Sequence, residues 1–487
     1  MKSFFKLFVI FITLSVTSQT TDFTSAIYDT YDNYKATSLE KRRIKHQDIQ
    51  PLIQALKTRP EFTVNKVGQS IEGRDLTLIS VGSGKTNVFL WSQMHGDEPT
   101  ATLAIFDIVN LLASRDFITE KENILNRVTL HFLPMLNPDG AEKFMRRNAL
   151  GIDINRDALR LQSPEGQTLK RVRDSLDADF GFNLHDQSIY YNAERTNKPA
   201  TISYLAPAFN YEKDVNQVRA DAMKIIVFMN AVIQKYAPGQ VGRYSDTFEP
   251  RAFGDNIQKW GTSAILIESG GYKNDVEKQE IRKLNYVSIL SAIYAIANQQ
   301  YQNIPISDYE RIPRNDRKLF DLKIEEATYN LLDKPYTIDV GINRFEMDNA
   351  NNTDFYNVGR VVDQGDLSTF YGYNTFNAKG YTIVEGKIYA EVFNSVEDTS
   401  GLDVYELLKS GYTYLQMEHL PKHQIEAQKP IHLVKKGYKL PGFKINPGVN
   451  PTFLLQKNNI NEYAVINGFL IDLKTKSTRL KNALIYK

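Results

Sequence analysis

Between residues 71 and 299 the chain alternates short apolar runs with longer segments whose apolar residues recur at helical spacing, a pattern that few folds accommodate. The runs at 88–91, 128–133, 180–184 and 264–267 read as buried strands. The stretch 100–112 carries Leu103, Ala104, Ile108 and Leu111 at helical spacing, and 276–297 carries Ile281, Leu284, Val287 and Leu290 in the same way. Each helical stretch lies next to a strand. The expected fold class is therefore α/β, a mixed, largely parallel twisted sheet flanked by helices.

Cysteine is absent, which excludes disulfides, thiolate metal sites and a lipid anchor on an N-terminal cysteine. Any metal must then be held by histidine and carboxylate. Lys plus Arg number 59 against 57 Asp plus Glu, so no strong global field favours nucleic acid or an anionic membrane, and a small or peptidic substrate is the easier expectation. Lys2 and Lys6, an apolar run at 7–16 and small polar residues around Ser18 have the layout of a secretory signal peptide, residues 1–18, which predicts a secreted or periplasmic protein. The run is shorter than the ~20 apolar residues that span a bilayer, and no later segment qualifies. The stretch 19–59 is too short for a separate inhibitory domain, so activity directly after export is expected.

The 487 residues suffice for two or three domains. An α/β domain is expected over 19–305, a polar, Pro-containing linker over 306–318, and a smaller β domain, rich in Tyr, Phe, Asn and Gly, over 319–487. Asn467-Gly468 between two apolar runs predicts a type I′ hairpin, and 381–393 a further strand region. Adhesion to a surface or glycan, assistance in folding, and narrowing access to an active site are all open roles for this second domain. Oligomeric state is not legible in the sequence.

Four polar clusters follow directly on the four predicted strands, where open α/β sheets bind ligands. They are His95-Gly96-Asp97-Glu98-Pro99, Asn137-Pro138-Asp139-Gly140, His185-Asp186 and Glu268-Ser269-Gly270-Gly271. His95 and Glu98 are three apart with Pro99 suited to a first helical turn, so both side chains can aim at one point. His185 is the candidate third ligand: His46 lies in a basic helix-like stretch, His131 sits inside a strand, and His419, His423 and His432 belong to the second domain. Three protein ligands leave a fourth position open, which distinguishes a catalytic zinc site from a closed structural one. A lone histidine more often caps a helix or packs in a core, but the joint placement of the clusters weighs against that use. Glu268 ends an otherwise apolar strand, where an unpaired carboxylate is costly to bury, and a general base acting on water explains it better than a structural ion pair.

These residues, with Gly68-Gln69-Ser70-Ile71-Glu72-Gly73-Arg74 ahead of them, resemble the M14 zinc carboxypeptidase family over about residues 64–297. The resemblance implies a zinc carboxypeptidase-like fold with Zn2+ held by His95, Glu98 and His185 and Glu268 as general base. It further implies, from the stretch 146–156, that Arg146 stabilises the oxyanion and that Asn155 and Arg156 clamp the substrate's terminal carboxylate. Arg147 is the neighbour that could replace Arg146. Three departures stand out: Asp97 falls where digestive-type members carry a substrate-receiving arginine, the family's mobile tyrosine has only Tyr244 as a counterpart, and the specificity pocket, near Arg251, Phe253 and Asp255, has no residue-level match.

The expected function is a secreted zinc metallocarboxypeptidase acting on the C-terminus of a peptide or protein, through a zinc-activated water and a glutamate base. The alternatives are a zinc amidase or endopeptidase acting on cell-wall or other modified peptides, with Arg156 holding a different anionic group, and a non-catalytic peptide- or glycan-binding protein.

Overall fold

The computed structural model describes residues 23–422, 425–475 and 482–487, so the expected signal peptide lies outside the described residues. The chain forms two compact units, Met1–Arg317 and Lys318–Lys487.

The first unit contains, in chain order ahead of a short last strand, β1 (Phe62–Gln69), β2 (Asp75–Gly82), β3 (Thr86–Ser92), β4 (Val128–Leu133), β5 (Phe180–Asp186), β6 (Asn192–Ala193), β7 (Ile202–Leu205), β8 (Val241–Arg243) and β9 (Ser263–Ser269). Eight of them make one mixed sheet in the order β1-β2-β4-β3-β5-β9-β7-β8. The central pairs β4–β3, β3–β5 and β5–β9 are parallel, and the antiparallel pairs lie toward the edges.

Side chains alternate across β3, so Val88 and Leu90 join one hydrophobic cluster while Phe89 and Trp91 join the other. The first cluster packs under helices Thr100–Ala113, Gln217–Ile233 and Gln279–Ala297, the second under Pro164–Leu176 and Phe253–Lys259. A sheet covered on both faces accounts for strands that read as continuous apolar runs. Burial of each such side chain contributes roughly 1.5–3 kcal/mol relative to leaving it exposed. Among the described residues no helix is long and apolar enough to cross a membrane.

Two sequence expectations are corrected in this unit. The last long helix begins at Gln279, not at residue 276, because the Asp275 carboxylate accepts from the backbone N–H of Gln279, Glu280 and Ile281 and so caps the helix there; Val276 is left 60% exposed. The stretch expected as a linker is folded nearly to its end: Ile306–Arg311 is a 3-10 helix, and β10 (Asn315–Asp316) pairs with β6. Tyr309 anchors it, its ring buried and its hydroxyl accepting from the Ala206 N–H at 3.1 Å.

The second unit holds a sheet of eight strands and a sheet of four. The smaller sheet, Lys387–Phe393, Tyr412–Met417, His432–Lys435 and Ile485–Tyr486, is wholly parallel, with the short helix Val404–Lys409 between its first two strands. The region 381–393 divides into Thr382–Val384 and Lys387–Phe393, which join different sheets. They part at Gly386, where a Cβ would fall 2.0 Å from Thr413 Oγ1. Asn467 and Gly468 join strands Ile460–Ile466 and Phe469–Asp472 with φ of 50° and 81°, as a type I′ turn requires. The Asn467 side chain is buried, donating to the carbonyls of Asn357 and Asn482.

Candidate metal centre

The parallel strands β3 and β5 lie side by side, and the chain leaves β3 toward β4 on one flank before crossing to β5 on the other. Their carboxyl ends therefore open a crevice of the kind where α/β sheets hold ligands. Beyond β3 the backbone turns, with the Glu98 N–H donating to the His95 carbonyl at 3.1 Å, before the helix Thr100–Ala113 begins. Gly96 permits this turn to lie against the turn after β4: a Cβ on it would sit 2.0 Å from the carbonyl carbon of Gly140. Asn137, in that second turn, caps its own short helix by accepting from the Gly140 N–H and donates to the Arg146 carbonyl.

In the crevice the two imidazoles meet on one carboxylate. His95 Nδ1 lies 2.8 Å from Glu98 Oε1, and His185 Nδ1 lies 2.7 Å from Glu98 Oε2. The three side chains are buried and can each offer one donor atom, all within 4.8 Å of one another. Two imidazole nitrogens and a carboxylate suit zinc, and the donor spacing fits a single small cation. Second partners fix the ligands: His95 Nε2 faces Asp153 Oδ1 at 3.1 Å, and the Asp186 N–H donates to Glu98 Oε2 at 3.2 Å.

The electrostatics follow from burial and these contacts. Burial opposes ionisation of Glu98, but the neighbouring imidazoles outweigh it and hold the carboxyl well below the usual range. For His95 burial works against the charged form, yet Glu98 and Asp153 raise it to about 9. For His185 burial prevails and the imidazole is pushed down. Glu268, on β9, stands directly across the ladder from His185, and burial, followed by the charge of Glu98, pushes its carboxyl well above the ordinary value. Asp97 is raised to about 6 by burial and the same neighbour.

Arg146 reaches into this cluster while Arg147 does not. The Arg146 Nη1 lies 3.2 Å from Glu98 Oε1 and its Nε donates to Asp153 Oδ2 at 3.0 Å. The exposed Arg147 donates to the Gly151 carbonyl instead. Asn155 and Arg156 lie on the 3-10 turn Ile154–Arg156, capped by Asp153. The Asn155 Oδ1 accepts from the Phe253 N–H at 2.9 Å. Arg156 donates from Nη1 to the Asn155 carbonyl at 2.7 Å and pairs through Nε with Glu249 Oε2 at 3.4 Å. Tyr244 follows β8, its ring 6.1 Å from that of Tyr191; burial raises its hydroxyl, and the charges of Glu268 and Glu98 add to the shift. Near the expected specificity pocket, Asp255 Oδ1 accepts from the Glu249 N–H, and burial pushes the Asp255 carboxyl up to about 6.

The remaining histidines of the first unit are committed elsewhere. His131 bridges Ser80 and Asn87 within the sheet, and His46 faces the Asp75 carbonyl at 3.0 Å. Three contributors escape the sequence reading. Asp153 orients both His95 and Arg146, and its position two residues before Asn155 was the available signal. Lys278, buried, donates to Asp186 Oδ2 and to the Ser269 carbonyl, and nothing in its local sequence marks it. Glu249 is the third.

Fold and donor set together define an α/β domain with two histidines and one carboxylate that could hold a metal ion at the carboxyl ends of its central strands. A model of the zinc carboxypeptidase family, peptidase M14, matches residues 49–197, within the first unit of the chain. The matched stretch contains His95, Glu98, Arg146, Asn155, Arg156 and His185 and ends before Tyr244 and Glu268. Among curated relatives, "Carboxypeptidase E" of Caenorhabditis elegans is 32% identical over 120 residues, which is 20% of this chain and 25% of the relative. "Probable carboxypeptidase 2" of Trichophyton verrucosum is 29% identical over 136 residues, 28% of this chain and 25% of the relative. The chain thus spans about a quarter of the length of these relatives. Among solved structures, a metallo-carboxypeptidase from Burkholderia cenocepacia is similar at 19% identity and a TM-score of 0.43, covering 52% of this chain and 69% of that one.

Proposed function

We propose that the chain is a secreted zinc metallocarboxypeptidase that removes residues from the C-terminus of peptides or proteins. The reading rests on one observation: His95 Nδ1 and His185 Nδ1 lie 2.8 and 2.7 Å from the two oxygens of Glu98, at the mouth of the sheet. Zinc bound by these three residues supplies a Lewis acid and lowers the pKa of water at the site. Glu268 takes a proton from the attacking water and delivers it to the departing amine; its position beside His185, at the end of an apolar strand, supports that role. Arg146, kept in place by Asp153, donates N–H groups to the substrate carbonyl oxygen as negative charge develops there. Asn155 and Arg156 receive the terminal carboxylate, since a guanidinium fork matches carboxylate geometry. Tyr244 flanks the bound peptide, and export rests on residues 1–18 alone.

A second reading, a zinc amidase or endopeptidase, is favoured by the engagement of Arg156 with Glu249. Peptide hydrolysis followed by mass spectrometry separates the two. Peptides with a free C-terminus should lose terminal residues, the activity should vanish with a chelator and return with zinc, and C-terminally amidated peptides should be poor substrates. Equal cleavage of amidated and free peptides would refute the carboxypeptidase reading.

A further inference from the structure

The acidic side chain of Glu249 lies between two guanidiniums. Arg251 grips it through two parallel contacts, Nε to Oε1 at 3.1 Å and Nη2 to Oε2 at 3.0 Å, while Arg156 Nε approaches Oε2 at 3.4 Å. The fork–fork geometry is the one by which arginine recognises any carboxylate. Glu249 is thus shared between two cations, with Asp153 acting on Arg251 and Asp255 on Arg156 from nearby. Such an arrangement can exchange one carboxylate for another.

Within its own loop Glu249 Oε1 also accepts from the Arg251 N–H at 3.1 Å, but the contacts that dock this loop on the turn bearing Arg156 do not use the carboxylate. Asn155 Oδ1 accepts from the Phe253 N–H, the Arg251 carbonyl accepts from the Ala158 N–H at 3.1 Å, and Asn256 Nδ2 donates to the Pro250 carbonyl at 2.7 Å. Those contacts hold the backbone while the Glu249 side chain stays about a third exposed, as does Arg156. Ion pairs at this exposure are worth little, so water and a competing anion reach them readily. The Asn155 side chain spends its oxygen on Phe253, which leaves its Nδ2 without a protein acceptor among the described residues. Asp153 joins this turn to the metal centre, accepting from the Asn155 N–H and facing His95.

We propose that Glu249 is a built-in competitor for the substrate's carboxylate: it occupies the guanidinium of Arg156 in the resting site and is exchanged when a carboxylate-bearing ligand arrives. The proposal rests on the carboxylate-clamp role given to Arg156 above. Glu249 then sets how tightly a C-terminus is held, and Arg251 is the alternative partner that receives Glu249 when Arg156 is taken. A structural latch predicts the opposite sign, because removing a latch loosens Arg156 and weakens binding.

The test uses the full zinc-loaded chain and a panel of N-acetyl amino acids, each as the free carboxylate and as the amide, with binding measured by calorimetry or ligand-detected NMR. Glu249→Gln should tighten the carboxylates about threefold while leaving the amides unchanged, a size set by the worth of an exposed ion pair. With a cleavable peptide the same variant should lower KM by a similar factor and alter kcat less than twofold. Arg251→Gln, which leaves Glu249 to Arg156 alone, should weaken carboxylate binding. Carboxylate binding unchanged or weaker in Glu249→Gln overturns the proposal, and so does tightening in both variants alike, which would mark a loosened loop. If neither wild type nor Glu249→Gln prefers carboxylate over amide, the clamp reading falls and takes the Glu249 proposal with it. A preference present in the wild type but not raised in Glu249→Gln defeats only the Glu249 proposal.

Discussion

His185 and Glu268 are direct cross-strand partners on the parallel pair β5–β9, so a proposed metal ligand and a proposed base share one rung of the sheet. Rigid strands fix such a pair more closely than loops do, and the apolar run before Glu268 keeps its carboxyl out of bulk water.

That placement predicts the effect of Glu268→Gln. The amide keeps the volume and cannot carry a proton, so kcat should fall by about 10²–10⁴, the usual contribution of a positioned proton-transfer group. Zinc content, measured by metal analysis on the same sample, should stay at the wild-type level. A variant retaining near-normal turnover would remove Glu268 from the reaction.

Asp153→Asn should act on the metal and on Arg146 together. The carboxylate faces His95 Nε2 at 3.1 Å through one oxygen and accepts from Arg146 Nε at 3.0 Å through the other. Loss of such a partner behind a metal-binding histidine costs about 10–100-fold in metal affinity. Competition with a chelator of known strength measures it, and equal zinc retention by variant and wild type would count against an orienting role.

How far the sequence disclosed all this depends on whether the signal was local. The strands and the residues at their ends were legible because each strand is buried on both faces and each polar cluster breaks its apolar run at once, as with Leu184-His185 and Ile267-Glu268. The onset of the last long helix was not legible, since apolar spacing continues through Val276 and only the side chain of Asp275 decides where the first N–H groups are satisfied. The folded stretch 306–316 was hidden because its partners are distant in sequence: Tyr309 meets Ala206, and Asn315–Asp316 pairs with Asn192–Ala193. Glu249 was hidden for a similar reason: its partner Arg251 is two residues on in sequence, but Arg156 comes near only when the two loops dock.

The fold of the first unit carries a fully buried ion pair whose loss should be costly. Arg282 donates from Nε to Asp107 Oδ2 at 2.7 Å and from Nη2 to Asp107 Oδ1 at 2.5 Å, and its Nη1 donates to the Leu39 carbonyl. Tyr31 and the Ala36 N–H also donate to Asp107, so the pair ties the N-terminal segment to two helices. Arg282→Met leaves Asp107 buried without its cation, and the expected loss is about 3–5 kcal/mol of stability. Denaturant unfolding measures it, and a loss below about 1 kcal/mol would show that Asp107 finds another partner or a proton at little cost. Replacing both residues, Asp107→Leu with Arg282→Met, should recover part of the loss, because no charge is then left unpaired.

The second unit should weaken in acid through His432. Its ring is buried, Nδ1 accepts from the Leu484 N–H at 2.8 Å, and Nε2 faces the Thr452 hydroxyl at 2.8 Å, so the neutral tautomer already uses both nitrogens. Burial pushes the imidazole down to about 3. The unfolded chain titrates near 6.5, and between that value and about 3 it binds more protons than the folded unit. This contribution to stability is complete above pH 6.5 and is lost as pH falls through that window, reaching about 2 kcal/mol at pH 5 on a slope of 1.36 kcal/mol per pH unit. Thermal unfolding of the full chain at pH 7 and pH 5 should show a transition that moves down in the wild type and moves less in His432→Gln, which supplies hydrogen-bonding groups without a titratable one. An identical acid shift in both proteins would assign the sensitivity to other groups.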